Sequence, residues 1–218
     1  MSDSGAHLLV FEPDPRGHAE EWLRHILAAA RSDERLGRIT LARPESLAAR
    51  LDGALPEKAA LQTLSAEEQA RCMASNLAVS AFSRWRAMRR HLTRSGASHG
   101  LFLGFDHLTL PFALGLGAAG RKISGILFRP TAHYPALGCR PAGLKERLRD
   151  LRKELLLRLS LGNPAVERVF SLDPFFPAHA RDRYRGGGKL LPLGDPAFPP
   201  PRPEAADHRI AQELPDDR

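Results

Sequence analysis

The chain alternates between short, nearly continuous apolar runs and longer stretches in which apolar residues return every third or fourth position. Residues 6–12 (AHLLVFE), 37–43 (GRITLAR), 99–105 (HGLFLGF), 122–128 (KISGILF), 165–172 (AVERVFSL) and 189–193 (KLLPL) form the first class. They read as strands buried on both faces, because strictly half-buried strands would alternate apolar and polar. The second class reads as helix. Over residues 17–31, Trp22, Ile26 and Ala29 recur at helical spacing. Pro44 stands at the first position of a short helix with Leu47, Ala48 and Leu51 on one face, stopped by Gly53. Ser65, with Glu68 three residues on, is the outline of a capping box and opens a helical stretch running to about Ser95. Residues 108–119, with an early Pro111, and residues 175–184 are shorter helical segments. The clearest helix is 144–161, where Leu144, Leu148, Leu151, Leu155 and Leu159 make an apolar stripe and charged residues fill the other face. Gly162-Asn163-Pro164 ends it.

Six strands interleaved with helices predict an α/β protein: a Rossmann-like doubly wound parallel sheet with helices on both faces, over residues 6–195 as one domain. From Pro196 to Arg218 the texture changes to a Pro-rich, charged segment with little to bury, expected to be a linker or disordered tail.

Composition narrows the function classes. The 218 residues are 43% hydrophobic and 26% charged, enough for one sizeable core. A net charge of +7 favours phosphates, nucleic acid or anionic lipid headgroups as partners. No aromatic-interleaved basic strand, zinc-finger spacing or heptad-linked basic region is present, so nucleic acid is not expected among them. No apolar run reaches about 18 residues and the N-terminus lacks a basic segment followed by an apolar one, so a cytoplasmic protein is the default expectation. The charged face of helix 144–161 is read as solvated; the alternative is peripheral contact with an anionic membrane surface. Cys72 and Cys139 lack the spacing of a zinc site or a disulfide framework, and the histidines show no metal-ligand spacing. Neither a metal nor a cofactor is called for.

Candidate chemistry follows from one topological rule. An open parallel sheet binds ligands outside the carboxyl ends of its strands. That rule selects Arg16, Gly17 and His18 after the first strand, and Asp106 and His107 after the third. After the fourth come Arg129, His133 and Tyr134, and after the fifth Asp173. Gly17 is either a permissive residue at a helix entry or a place where backbone N–H groups approach an anion. Asp106-His107 is either a helix cap beside a solvated ring or a carboxylate–imidazole pair for substrate hydroxyls. Arg129 is either a phosphate clamp or a surface arginine, and Asp173-Pro174 either a helix cap or a ligand contact. Neither a G-x-G-x-x-G nor a P-loop pattern is present, and without G-x-S-x-G hydrolase chemistry has no anchor.

Taken in order, LLVFEPDPRGHAEEWL, HGLFLGFDHL and LRKELLLRLSLGNPAVERVFSLDPFFPAHARDRYRGGGKLLPLGDP resemble the N-terminal half of family 4 glycosyltransferases of GT-B fold. The resemblance covers nearly the whole chain to Pro196. It implies transfer of a sugar from a nucleotide diphosphate sugar to a glycan or small-molecule acceptor, with this half holding the acceptor. Arg16, Gly17 and His18 would form the turn facing the donor diphosphate, where the family usually carries paired glycines. Asp106 and His107 would lie near the acceptor or the transferred sugar and serve as the catalytic pair. Arg129, His133 and Asp173, selected by the strand-end rule, are the further candidates for substrate contact. The family's donor-binding second domain, with its Glu-x7-Glu pair, has no counterpart in the sequence; Glu12/Glu20 and Glu146/Glu154 match that spacing by chance. The implied activity is therefore incomplete without a second half, supplied by a separate chain or lost by truncation. The alternative reading is a non-catalytic α/β binding or interaction module.

Overall fold

Side-chain alternation along the first apolar run sets the layering. The computed structural model describes residues 5–51, 53–128, 130, 134, 138 and 143–194. In it, β1 (Ala6–Phe11) sends Leu9 and Phe11 into one hydrophobic cluster and Val10 into another, and all three are fully buried. Six more strands join it: β2 (Leu36–Arg43), β3 (Ala59–Thr63), β4 (His99–Phe102), β5 (Lys122–Leu127), β6 (Val166–Ser171) and β7 (Leu190–Pro192). Their order is β3-β2-β1-β4-β5-β6-β7, and every neighbouring pair is parallel. This is the doubly wound α/β architecture the sequence predicts. The order reverses between β1 and β4, where Phe11 lies level with Phe102. A crevice outside that pair of strand ends is the expected place for a ligand.

Each face has its own helices. On one, α1 (Ala19–Ser32) buries Trp22, Leu23, Leu27 and Ala30 against Val10, Ile39 and Leu41. On the other, α3 (Leu77–Ser95), α4 (Thr109–Ala113), α5 (Leu144–Leu161) and α6 (Phe176–Arg181) pack Met88, Leu92, Phe112, Leu157 and Phe176 around Leu9, Phe11 and Phe102.

Four expectations about the number and bounds of elements are corrected. Among the described residues the sheet has seven strands, not six: β3 (AALQT) is an edge strand paired with β2, half exposed and too weakly apolar to stand out. The helical stretch 65–95 is two helices, α2 (Ala66–Cys72) and α3. They part at Asn76, whose Oδ1 accepts the N–H groups of Ala78 and Val79 at 3.0 and 3.1 Å. The ladder of β4 stops at Phe102, and Phe105–Leu108 form a 3-10 turn before an α4 that ends at Ala113. The segment after Pro44 is a pair of 3-10 turns, Glu45–Leu47 and Ala49–Leu51.

The capping box at Ser65 forms as predicted. Its Oγ accepts the Glu68 N–H at 3.1 Å, and Glu68 Oε2 accepts the Ser65 N–H at 3.1 Å. Ser65→Ala is therefore expected to cost about 1 kcal/mol, read as a lower urea midpoint with an unchanged slope. Helix α5 has the predicted bounds but the opposite orientation. It buries Leu157, Ser160 and Leu161, while the five-leucine stripe faces out. Periodicity locates a stripe but not what lies opposite it, and here the sheet takes the shorter apolar set. Among the described residues, no helix is long and apolar enough to cross a membrane.

Candidate functional site

A cleft of about 750 Å³ opens at the β1/β4 reversal. Its floor is built by strand ends. Glu12 follows β1, Leu103 follows β4, Leu127 ends β5 and Phe128 follows it. Its walls are largely apolar: Trp22 of α1, Leu77 and Ala81 of α3, Leu110 of α4, and Leu156 and Leu157 of α5. Trp22 meets Phe128 edge-on, ring centroids 5.9 Å apart, closing one corner. A few polar groups project into this apolar space, the usual composition of a small-molecule site.

Four of the residues selected by the strand-end rule line the cleft together: Arg16, His18, Asp106 and His107. Gly17 joins the first two at the rim. Its φ of +64° is the left-handed conformation that favours glycine, and no atom would lie within 4 Å of a Cβ there, so the residue serves the turn and the space above it is open. Arg16 is paired within the cleft lining. Its Nε and a terminal nitrogen fork onto the Asp14 carboxylate at 2.9 and 3.0 Å. His18 Nδ1 lies 3.2 Å from Glu21 on the first turn of α1. Asp173 does not line the cleft; its Oδ1 accepts the N–H groups of Phe175 and Phe176 at 3.0 and 3.3 Å, at the entry to α6. Arg129 and His133 lie outside the described residues, as do Cys139 and the segment 196–218. Tyr134 is described and partly exposed, and is not among the cleft-lining residues. Cys72 is fully buried, which pushes its thiol up to about 11 and leaves it protonated.

Two central groups escape the strand-end reading. Glu12 is only 6% exposed, and burial pushes its carboxyl up to about 7. The Asp14 N–H bond to its Oε1 (2.7 Å) and the charge of Arg84 pull it partly back, while the Asp14 charge adds to the rise. Arg84 is 3% exposed within α3. Its Nε donates to the Cys72 carbonyl at 2.9 Å, which also accepts from the Ser80 hydroxyl at 2.5 Å. That carbonyl belongs to the last turn of α2, where backbone acceptors are unsatisfied and the helix end is negative. One buried cation thus ties down a helix end and faces a buried acid. A sequence signal existed for both. Glu12 is the charge terminating the first apolar run, and Arg84 occupies the α3 face that also carries Ala81, Met88 and His91.

Asp106 and His107 sit on the 3-10 turn after β4, their side chains open to solvent within the cleft yet crowded by its walls. That crowding pushes Asp106 up to about 6, against the Lys153 charge and a backbone N–H at Phe128. It pushes His107 down to about 4, with Arg84 acting in the same direction and Asp14 against it. Asp14 itself stays below the usual carboxylate range: partial burial would raise it, and the Arg16 fork and Arg84 outweigh that. At neutral pH the cleft therefore holds an accessible carboxylate near its titration point, a neutral imidazole and a buried, half-ionised acid. Such a set can accept a proton from a bound hydroxyl.

No protein-family model and no curated protein matches the chain. Solved structures similar to it include the spinosyn rhamnosyltransferase SpnG, determined with thymidine diphosphate, at 20% identity over 89% of this chain and 52% of that one, TM-score 0.41. CalG4, the calicheamicin glycosyltransferase, is similar at 16% identity over 92% of this chain and 55% of that one, TM-score 0.41. This chain spans about half the length of each of them.

Proposed function

We propose that the protein is the acceptor-side domain of a GT-B-type glycosyltransferase, of the family 4 kind its sequence resembles, and that Asp106 is the base of the transfer. One observation carries this reading: an apolar cleft at the strand-order reversal presents an accessible carboxylate whose proton affinity has been raised toward neutrality. The acceptor's apolar body fills the space between Trp22 and Leu156, and its hydroxyl meets Asp106. As the acceptor oxygen bonds to the sugar's anomeric carbon, its proton passes to the Asp106 carboxylate. The bond from that carbon to the diphosphate oxygen breaks, and the electron pair leaves with the nucleoside diphosphate. His107, neutral at working pH, donates to or accepts from sugar hydroxyls without adding charge. The donor enters from the rim at Arg16, Gly17 and His18, and its remaining contacts come from a second domain.

The test measures nucleoside diphosphate release from a panel of nucleotide sugars. Amphipathic alcohols serve as acceptors, with the chain alone and mixed with a separately produced donor-side GT-B half. Acceptor binding to the chain alone, with transfer confined to the mixture, is the expected result. Absence of acceptor binding to the chain alone, together with no transfer in either sample, would overturn the proposal.

A further inference from the structure

Among the described residues, the leucine stripe of α5 is an extended apolar feature that neither the core nor the cleft uses. Leu144, Leu148, Leu151, Leu155 and Leu159 are between 50% and 73% exposed. They recur at spacings of four, three, four and four, so they form one continuous ridge along the outer side of the helix. Leucines scattered singly over a surface call for no account; five in one line do.

Charge decides what the ridge suits. On the helical wheel, Lys145 and Arg152 flank it on one side and Arg147 and Arg158 on the other. All four are exposed. The helix's acids turn the other way: Glu146, Asp150 and Glu154 are partly buried, and Glu154 accepts a hydrogen bond from the Tyr184 hydroxyl at 3.2 Å. The outer face is thus leucine bordered by cations. A second copy of the helix laid on this ridge would bring cations against cations along both seams. An anionic bilayer surface complements it instead: leucines enter the headgroup–acyl boundary, and the cationic side chains, with their long aliphatic stems, reach the phosphates.

We propose that α5 is a peripheral docking helix for anionic lipid surfaces. Its inner side holds Leu157 and Leu161 in the core and contributes Lys153 and Leu156 to the cleft, and Arg152 stands at the edge between cleft and ridge, so docking would place the cleft mouth beside the membrane. The inference stands apart from the glycosyl-transfer reading and does not need it.

Vesicle co-sedimentation of the full chain tests it, using phosphatidylcholine vesicles with and without phosphatidylglycerol. Binding only to the phosphatidylglycerol vesicles, weakened by added salt, is expected. The double variant Leu148→Asp/Leu155→Asp should lose at least about tenfold in affinity. Both positions are exposed, so its circular dichroism should match the parent. Lys145→Glu/Arg147→Glu supplies a second reading that leaves every leucine in place, and it too should weaken binding. Binding independent of lipid charge, or unchanged in both variants, would overturn the proposal. So would failure to bind vesicles, whether the parent is monomeric or forms a dimer that the leucine variant dissociates. Retention of the parent by an acidic-faced helical peptide in place of vesicles would overturn it in favour of a protein partner.

Discussion

Asp106→Asn is expected to lower sugar transfer by roughly 10²–10⁴-fold, measured in whichever preparation shows transfer. The substitution keeps shape and removes the only property the proposed step needs, a lone pair basic enough to take the acceptor proton. Acceptor binding should change little, because the apolar walls are untouched, so the loss should appear in kcat rather than KM. The parent's pH profile carries an independent signature. Crowding raises Asp106 to about 6, so transfer should climb as pH passes through that value, well above the ordinary carboxylate range. A rising limb near pH 4, or an asparagine variant as active as the parent, would move the base elsewhere in the cleft.

Glu12→Gln is expected to stabilise the protein by about 3 kcal/mol near pH 8 and by almost nothing near pH 4. The carboxyl ionises at about 4.5 in the unfolded chain and at about 7 in the native cleft. Between those values the folded state holds a proton that the unfolded state has released. Stability from this group is therefore complete below pH 4.5, falls through the interval and reaches its minimum above pH 7. Glutamine never ionises and escapes the loss. Urea denaturation of parent and variant across that range isolates Glu12, since every other group is shared. Equal stabilities near pH 8 would mean that the native carboxyl ionises near its unfolded value.

What the sequence disclosed and concealed divides along physical lines. Runs such as LLVF and SGILF announce central strands, because a strand covered on both faces has no polar position to confuse the pattern. AALQT, at the edge, has one face and one flank in solvent and carries no such mark. The strand-end rule brought Arg16, His18, Asp106 and His107 to one cleft because it depends only on strand direction. It passed over Glu12 and Arg84, whose roles arise from burial, a tertiary property. The 144–161 helix shows the converse failure. Its period was plain, but periodicity does not reveal whether a stripe meets protein, and the strongest apolar pattern in the chain lies on the surface.

The arrangement at Arg84 links ligand charge to protonation. The guanidinium is held by the Cys72 carbonyl, the Ser80 hydroxyl and the Met73 sulfur, which oppose its swinging toward an incoming anion and away from Glu12. Under the proposed function, a sugar diphosphate at the cleft would share that positive field with an acid already balanced near neutrality. Its negative charge would tighten the acid's hold on hydrogen ions, so binding of such an anion would be accompanied by proton uptake. Occupancy of the cleft becomes a quantity that ambient acidity can tune.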